Sequence, residues 1–133
     1  MTPARAKRIF FDGTLPSFKG AKIKIQNIQK QQRDFEIHFV FPKNFKNAFI
    51  AFLNRERHFS PNHFYRTHST SRETILKIAQ EFPEVCIRVI ESRISEREKY
   101  MIFEENTFEN QQELIDFLSK IQYTEDEIVR QFA

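Results

Sequence analysis

From Phe35 to Phe41 the chain alternates strictly: Phe35, Ile37, Phe39 and Phe41 fall on one side, and Glu36, His38 and Val40 on the other. Successive side chains of a strand point to opposite faces, so this run predicts a strand with one aromatic face to bury. Pro42 ends it. The remaining elements have to cover that face. The sequence holds sixteen Phe, no Trp and three Tyr, so Phe is the bulky material available for the core.

Several segments read as candidates for the cover. Ala21, Ile23 and Ile25 alternate with Lys22 and Lys24, which predicts a strand with a wet, basic face; Gln29–Arg33 is then a polar connection. After Asn44, a good N-cap, Phe45, Phe49, Phe52 and Leu53 recur at helical spacing to about Arg55. Thr70 and Glu73 form a capping-box pattern, predicting a second helix from about Ser71 that buries Ile75, Leu76, Ala79 and Phe82 and stops at Pro83. Val85–Ile94 and Lys99–Glu105 predict central strands joined by a turn at Ser95–Glu98. Asn110 with Glu113 starts a third helix carrying Leu114, Ile115, Phe117, Leu118 and Ile121. Thr124 with Glu127 starts a short last one, with Ile128 and Phe132 inward. Arg8–Phe11 could add a short strand.

The expected fold class is therefore α+β, a single domain over 1–133 with 1–20 as a flexible basic N-terminal arm. FPKNFKN…FL (Phe41–Leu53) echoes FEENTFEN…FL (Phe103–Leu118), which suggests two β-hairpin-plus-helix units, an internal duplication. Two such units predict a mainly antiparallel sheet with helices packed on one face. Lys22, Lys24, Glu36, His38 and Arg88 would stand on the other face.

Composition removes several functions. Two glycines cannot build a glycine-rich phosphate loop, so no nucleotide cofactor is expected. A single cysteine, Cys86, excludes an internal disulfide and a cysteine zinc site; within VCIRVI it reads as a small buried hydrophobe. No run is apolar enough to cross a membrane, and the start lacks a signal-peptide core, so the cytoplasm is the expected compartment.

Charge is distributed unevenly. Residues 1–72 hold fourteen Lys and Arg against four Asp and Glu, a net +10, whereas 73–133 hold seven against fourteen, a net −7. Either the basic half meets a polyanion or an acidic protein surface, or the two halves neutralise each other on folding.

The basic half culminates in Asn54–Arg72. This stretch carries Arg55, Arg57, His58, His63, Phe64, Tyr65, Arg66, His68 and Arg72, with Glu56 its one acid. It shows neither strand alternation nor a helical apolar stripe, so it is expected as a connection that presents these side chains outward. The histidines fall every five residues, a spacing that regular structure does not converge, and no carboxylate sits at ligand spacing; no metal site is expected. His58-Phe-Ser60 and His68-Ser-Thr70 resemble superficially the His-x-Ser/Thr pairs of two-histidine phosphoesterases, but those come from well-separated strands and these lie ten residues apart. Two histidines with arginine could still serve a metal-free ribonuclease. The expected role is binding rather than catalysis. Arginine forks grip phosphate and aromatic rings stack on unpaired bases, so RNA or single-stranded DNA is the leading ligand, with Lys22 and Lys24 as supporting charge. The alternative is a protein-binding inhibitor of the immunity-protein, antitoxin or phage anti-defence kind. Its acidic half (Glu104, Glu105, Glu109, Glu113, Asp116) could mimic nucleic acid.

Overall fold

The computed structural model describes residues 9–10, 17–31, 35–53, 60–95 and 100–132. In chain order the elements are β1 (Ile9–Phe10), α1 (Phe18–Gln31), β2 (Glu36–Pro42), α2 (Phe45–Leu53), α3 (Pro61–Glu81), β3 (Cys86–Ile94), β4 (Met101–Asn106), α4 (Gln111–Lys120) and α5 (Glu125–Arg130). The fold is α+β, with a mixed sheet in the order β1-β2-β3-β4.

The alternating run forms β2 as expected, with Ile37, Phe39 and Phe41 buried. The chain from Ala21 to Ile25, expected as a strand, is instead part of the helix α1. Its alternation spans only five residues, whereas Phe18, Ala21, Ile25 and Ile28 recur at helical spacing over eleven, and the longer pattern prevails. Ala21 and Ile25 are fully buried while Ile23 is 52% exposed, a partition no strand would produce. The change of element also changes the sheet. The first hairpin does not exist, and β2 runs parallel to both β1 and β3; the sheet is not mainly antiparallel. The antiparallel pair is β3 with β4. The Ser95 N–H donates to the Tyr100 carbonyl at 2.9 Å in this hairpin; the rest of the expected turn, 96–99, lies outside the described residues. The echo between Phe41–Leu53 and Phe103–Leu118 survives only as strand, Asn cap and helix. Asn44 accepts from the N–H groups of Lys46 and Asn47, and Asn110 from that of Glu113.

Parallel neighbours need crossovers, supplied by α1 between β1 and β2 and by α2 with α3 between β2 and β3. The strands are added in one direction, so crossovers of a single hand fall on the same face. Ile37, Phe39, Phe41, Ile87 and Val89 are accordingly covered by Ala21 and Ile25 of α1, Ile75, Ile78 and Ala79 of α3, and Leu114 and Leu118 of α4. A second cluster lies around Phe45, Phe64 and Ile128, with Phe49, Tyr65, Tyr123 and Phe132 packed against it. Cys86, expected buried, is exposed: Val85, Ile87 and Val89 take the inward positions, and the pleat turns Cys86 outward. Within the expected N-terminal arm, Ile9–Phe10 pair with β2, and Phe18–Gly20 open α1; residues 1–8 and 11–16 lie outside the described residues.

The helical assignment of α1 makes unequal predictions for neighbouring isoleucines. Ile25→Ala should cost about 2–5 kcal/mol of unfolding free energy, as buried Ile truncations do. Ile23→Ala should change it by no more than about 0.5 kcal/mol. Urea titrations of both variants check this; equal losses would restore the strand.

Candidate nucleic-acid interface

Residues 54–59, with Arg55, Arg57 and His58, lie outside the described residues. From Ser60 onward the stretch expected as a connection is the first half of α3. Ser60 takes an extended conformation at the N-cap and Pro61 follows at the first helical turn, where its missing N–H costs nothing. Helix therefore begins ten residues before the expected start at Ser71. Residues 64, 68, 71, 72, 75, 78 and 79 form one helical stripe, but His68, Ser71 and Arg72 occupy positions that usually hold apolar residues, which concealed the period. The Ser60-Pro61 pair was the available signal for the true start.

This helix turns most of the expected binding residues inward. Phe64 is 3% exposed, with its ring centroid 5.1 Å from Phe49 and 4.3 Å from His68. Tyr65 stacks on Phe49 at 6.0 Å, and His68 meets Phe45 edge-on at 5.8 Å. Arg72 is 2% exposed. Its guanidinium carbon lies 4.8 Å from the Phe45 ring and 5.3 Å from those of Phe41 and Tyr123. One Nη1–H donates to the Ile121 carbonyl at 3.0 Å. The Arg72 carbonyl accepts from the Gln122 side chain, which also donates to Leu118. Burial lowers the Arg72 pKa to about 10, so the group is still a cation at neutral pH. Arg66 remains exposed, 3.8 Å from the Glu125 carboxylate. His63 is half-buried in the first turn. His63 and His68, five residues apart on one helix, do not converge, and no group of His, Cys, Asp and Glu suited to a metal occurs among the described residues.

The exposed positive charge that the described residues do bring together is on α1. FKGAKIKIQNIQKQ contains four lysines and no acid. Its inward side is Phe18, Ala21, Ile25 and Ile28, so Lys19, Ile23, Gln26 and Lys30 form the opposite, exposed stripe. At 1.5 Å per residue the two lysines are separated by roughly 16 Å along the axis. Lys22 and Lys24, expected on the open sheet face, flank this stripe instead; Lys22 bridges to Glu81 at 2.6 Å. At the start of the helix the half-buried Phe18 lines an open depression with Lys77, Gln80 and Glu81. The Nζ atoms of Lys22 and Lys77 lie 5.9 and 6.0 Å from its ring centroid. Both ammonium groups lie over the ring and are ion-paired, Lys22 with Glu81 and Lys77 with Glu73 at 2.9 Å; the lysine stripe beside them is hidden in the sequence by the short alternation of 21–25, which predicts a strand.

The sheet face opposite the main core carries a different arrangement. His38 Nε2 lies 2.7 Å from Glu36 Oε1, and Arg88 donates twice to Glu105, at 2.7 and 2.8 Å. The hydrogen bond with His38 is the main cause that holds the Glu36 carboxyl below its ordinary value of 4.5; the bond from Arg88 does the same for Glu105. Of the acids considered for mimicry, Glu104 accepts from Arg93, Glu113 from the Glu109 N–H and Asp116 from Gln112. The cleft between Pro42, Ala48 and Met101 encloses about 50 Å³, well below the several hundred typical of a small-molecule site.

No helix among the described residues is long and apolar enough to cross a membrane. Comparison with family models, curated proteins and solved structures finds no match to this chain.

Arg72→Met retains an unbranched stem and relieves the interior of a charge, so its unfolding free energy should stay within about 1 kcal/mol of the parent. Arg72→Ala should lose about 2–4 kcal/mol through the void it leaves; equal losses in urea would mean that the guanidinium contacts outweigh desolvation. Carboxyls with lowered folded pKa values add stability above about pH 4.5 that is lost as the pH falls through those values. Glu105→Gln should therefore flatten the fall in thermal midpoint between roughly pH 5 and 3, and an unchanged profile would dissociate Glu105 from acid sensitivity.

Proposed function

We propose that this chain is a non-enzymatic binding protein for RNA or single-stranded DNA, contacting its ligand through the outer face of α1. The observation that carries the reading is the acid-free lysine stripe Lys19–Ile23–Gln26–Lys30, with Phe18 and its flanking cations at one end. Lysines on a rigid helix answer backbone phosphates, and the amide of Gln26 can serve phosphate, sugar or base; a base reaches the Phe18 ring only by displacing the Lys22 and Lys77 ammonium groups that lie over it. The interface differs from the one expected at 54–72, because Phe64, Tyr65, His68 and Arg72 are engaged within the protein. Arg66 adds charge farther along α3.

Phosphate contacts release counterions, so the logarithm of affinity falls with the logarithm of salt concentration. Fluorescence anisotropy with oligouridylate across a salt series should show such a slope. Lys19→Ala and Lys30→Ala should each reduce it by about 0.7, while Arg72→Met leaves it unchanged. An unaltered slope in the Lys19→Ala/Lys30→Ala double variant would remove α1 from the interface. A partner that co-purifies with the chain and survives nuclease digestion would replace nucleic acid with a protein target.

A further inference from the structure

β4 is the terminal strand of the sheet, and no strand among the described residues pairs with its outer side. Two hydrogen bonds establish which of its backbone groups point that way. The Ser95 N–H donates to the Tyr100 carbonyl, so that pair is hydrogen-bonded across the β3–β4 hairpin. The Lys43 N–H donates to the Ser92 carbonyl at 2.8 Å, so Ser92 turns its peptide groups toward β2 rather than β4. Antiparallel ladders alternate, and Ser92 lies opposite Phe103. The N–H and C=O groups of Met101, Phe103 and Glu105 consequently point away from β3. The side chains of the same three residues stand on the sheet face opposite the main core, where Phe103 is 61% and Met101 48% exposed.

Edge strands are usually kept from pairing by lysine, proline or free charge. The strand MIFEEN has neither lysine nor proline, and both carboxylates are drawn back onto β3, Glu104 by Arg93 and Glu105 by Arg88. We propose that β4 is a homodimerisation edge, pairing antiparallel with β4 of a second copy about a twofold axis through Phe103. In that register Phe103 faces its own counterpart, Met101 faces Glu105 of the second copy, and Ile102 faces Glu104 of the second copy. No carboxylate opposes another, and each outward N–H and C=O of Met101, Phe103 and Glu105 gains a partner. An axis through Glu104 would instead set that carboxylate against itself, which destabilises a cross-strand pair. This self-complementarity is what selects a second copy as the occupant. The axis is perpendicular to the sheet, so the main cores of both copies remain on one side and the opposite sheet faces become continuous.

Sedimentation of the full chain across micromolar to millimolar concentration should show a monomer–dimer equilibrium. With Cys86→Ala to remove the native thiol, Phe103→Cys should give a disulfide-linked dimer on oxidation, since the paired Cα atoms of such a site lie about 5.5 Å apart. Ile102→Cys in the same background should not cross-link. Phe103→Lys, with its far-UV circular dichroism unchanged, should sediment as a monomer. A parent chain that is monomeric throughout, or a dimer that cross-links through residue 102 and not 103, would overturn the proposal.

Discussion

A buried cation joins the two hydrophobic clusters that the described residues form. Arg72 leaves α3 between them, with Phe41 of the sheet, Phe45 of α2 and Tyr123 of the α4–α5 linker around its guanidinium. Bringing an ion out of water costs several kcal/mol even after relaxation. The return consists of three aromatic faces, at about 0.5–2 kcal/mol each, and one hydrogen bond to Ile121, at about 1.5–3. The guanidinium Nε, buried without a hydrogen-bond partner, adds to the cost. Arg72 therefore contributes little net stability, and its effect is directional: a planar group that stacks on faces and donates in its own plane fixes how the sheet end, two helices and a linker meet.

That constraint explains why the first half of α3 does not behave like its composition. Phe64, Tyr65 and His68 lie up to two turns ahead of Arg72 on the same helix, and once Arg72 is inward these residues must pack with α2 and α5. Their rings are then used on Phe45, Phe49 and Phe132. Residue types favoured for stacking on bases are equally suited to a compact aromatic cluster. Composition alone does not distinguish the two uses; the helical register does.

Legibility in the sequence followed the length of each pattern. β2 was readable because four apolar residues alternate before a proline, and α4 and α5 because their caps are chemically specific: Asn110 accepts from Glu113, and Thr124 with Glu127 closes a full capping box. α1 is obscured because AKIKI satisfies a period of two over five residues, and only inclusion of Phe18 and Ile28 reveals the longer helical period. The start of α3 was hidden by polar residues in its stripe. Both patterns bear on the candidate site. The short alternation predicts Lys22 and Lys24 on a sheet face, and the polar stripe predicts an exposed connection where the structure has an inward-facing helix.

The charge asymmetry along the chain bears on the choice of ligand. Ion pairs between the halves are present: Lys22 with Glu81, Arg66 with Glu125, and Glu36 with Arg88. Several acids of the second half are instead balanced within it, Glu104 and Glu105 by Arg93 and Arg88, and Glu73 by Lys77. Carboxylates satisfied by their own half do not neutralise the lysines of the first. Exposed pairs such as Arg66 with Glu125 are weak and screened by salt, so a phosphate could displace them at small cost. On α1, Glu81 meets Lys22 and Glu84 accepts from Gln29, while Lys19 and Lys30 stand on the exposed stripe away from both acids. A strand edge proposed to pair with its own copy has to keep like charges apart at the twofold axis, as β4 does by drawing Glu104 and Glu105 back onto β3, whereas a phosphate-binding surface depends on cations gathered together.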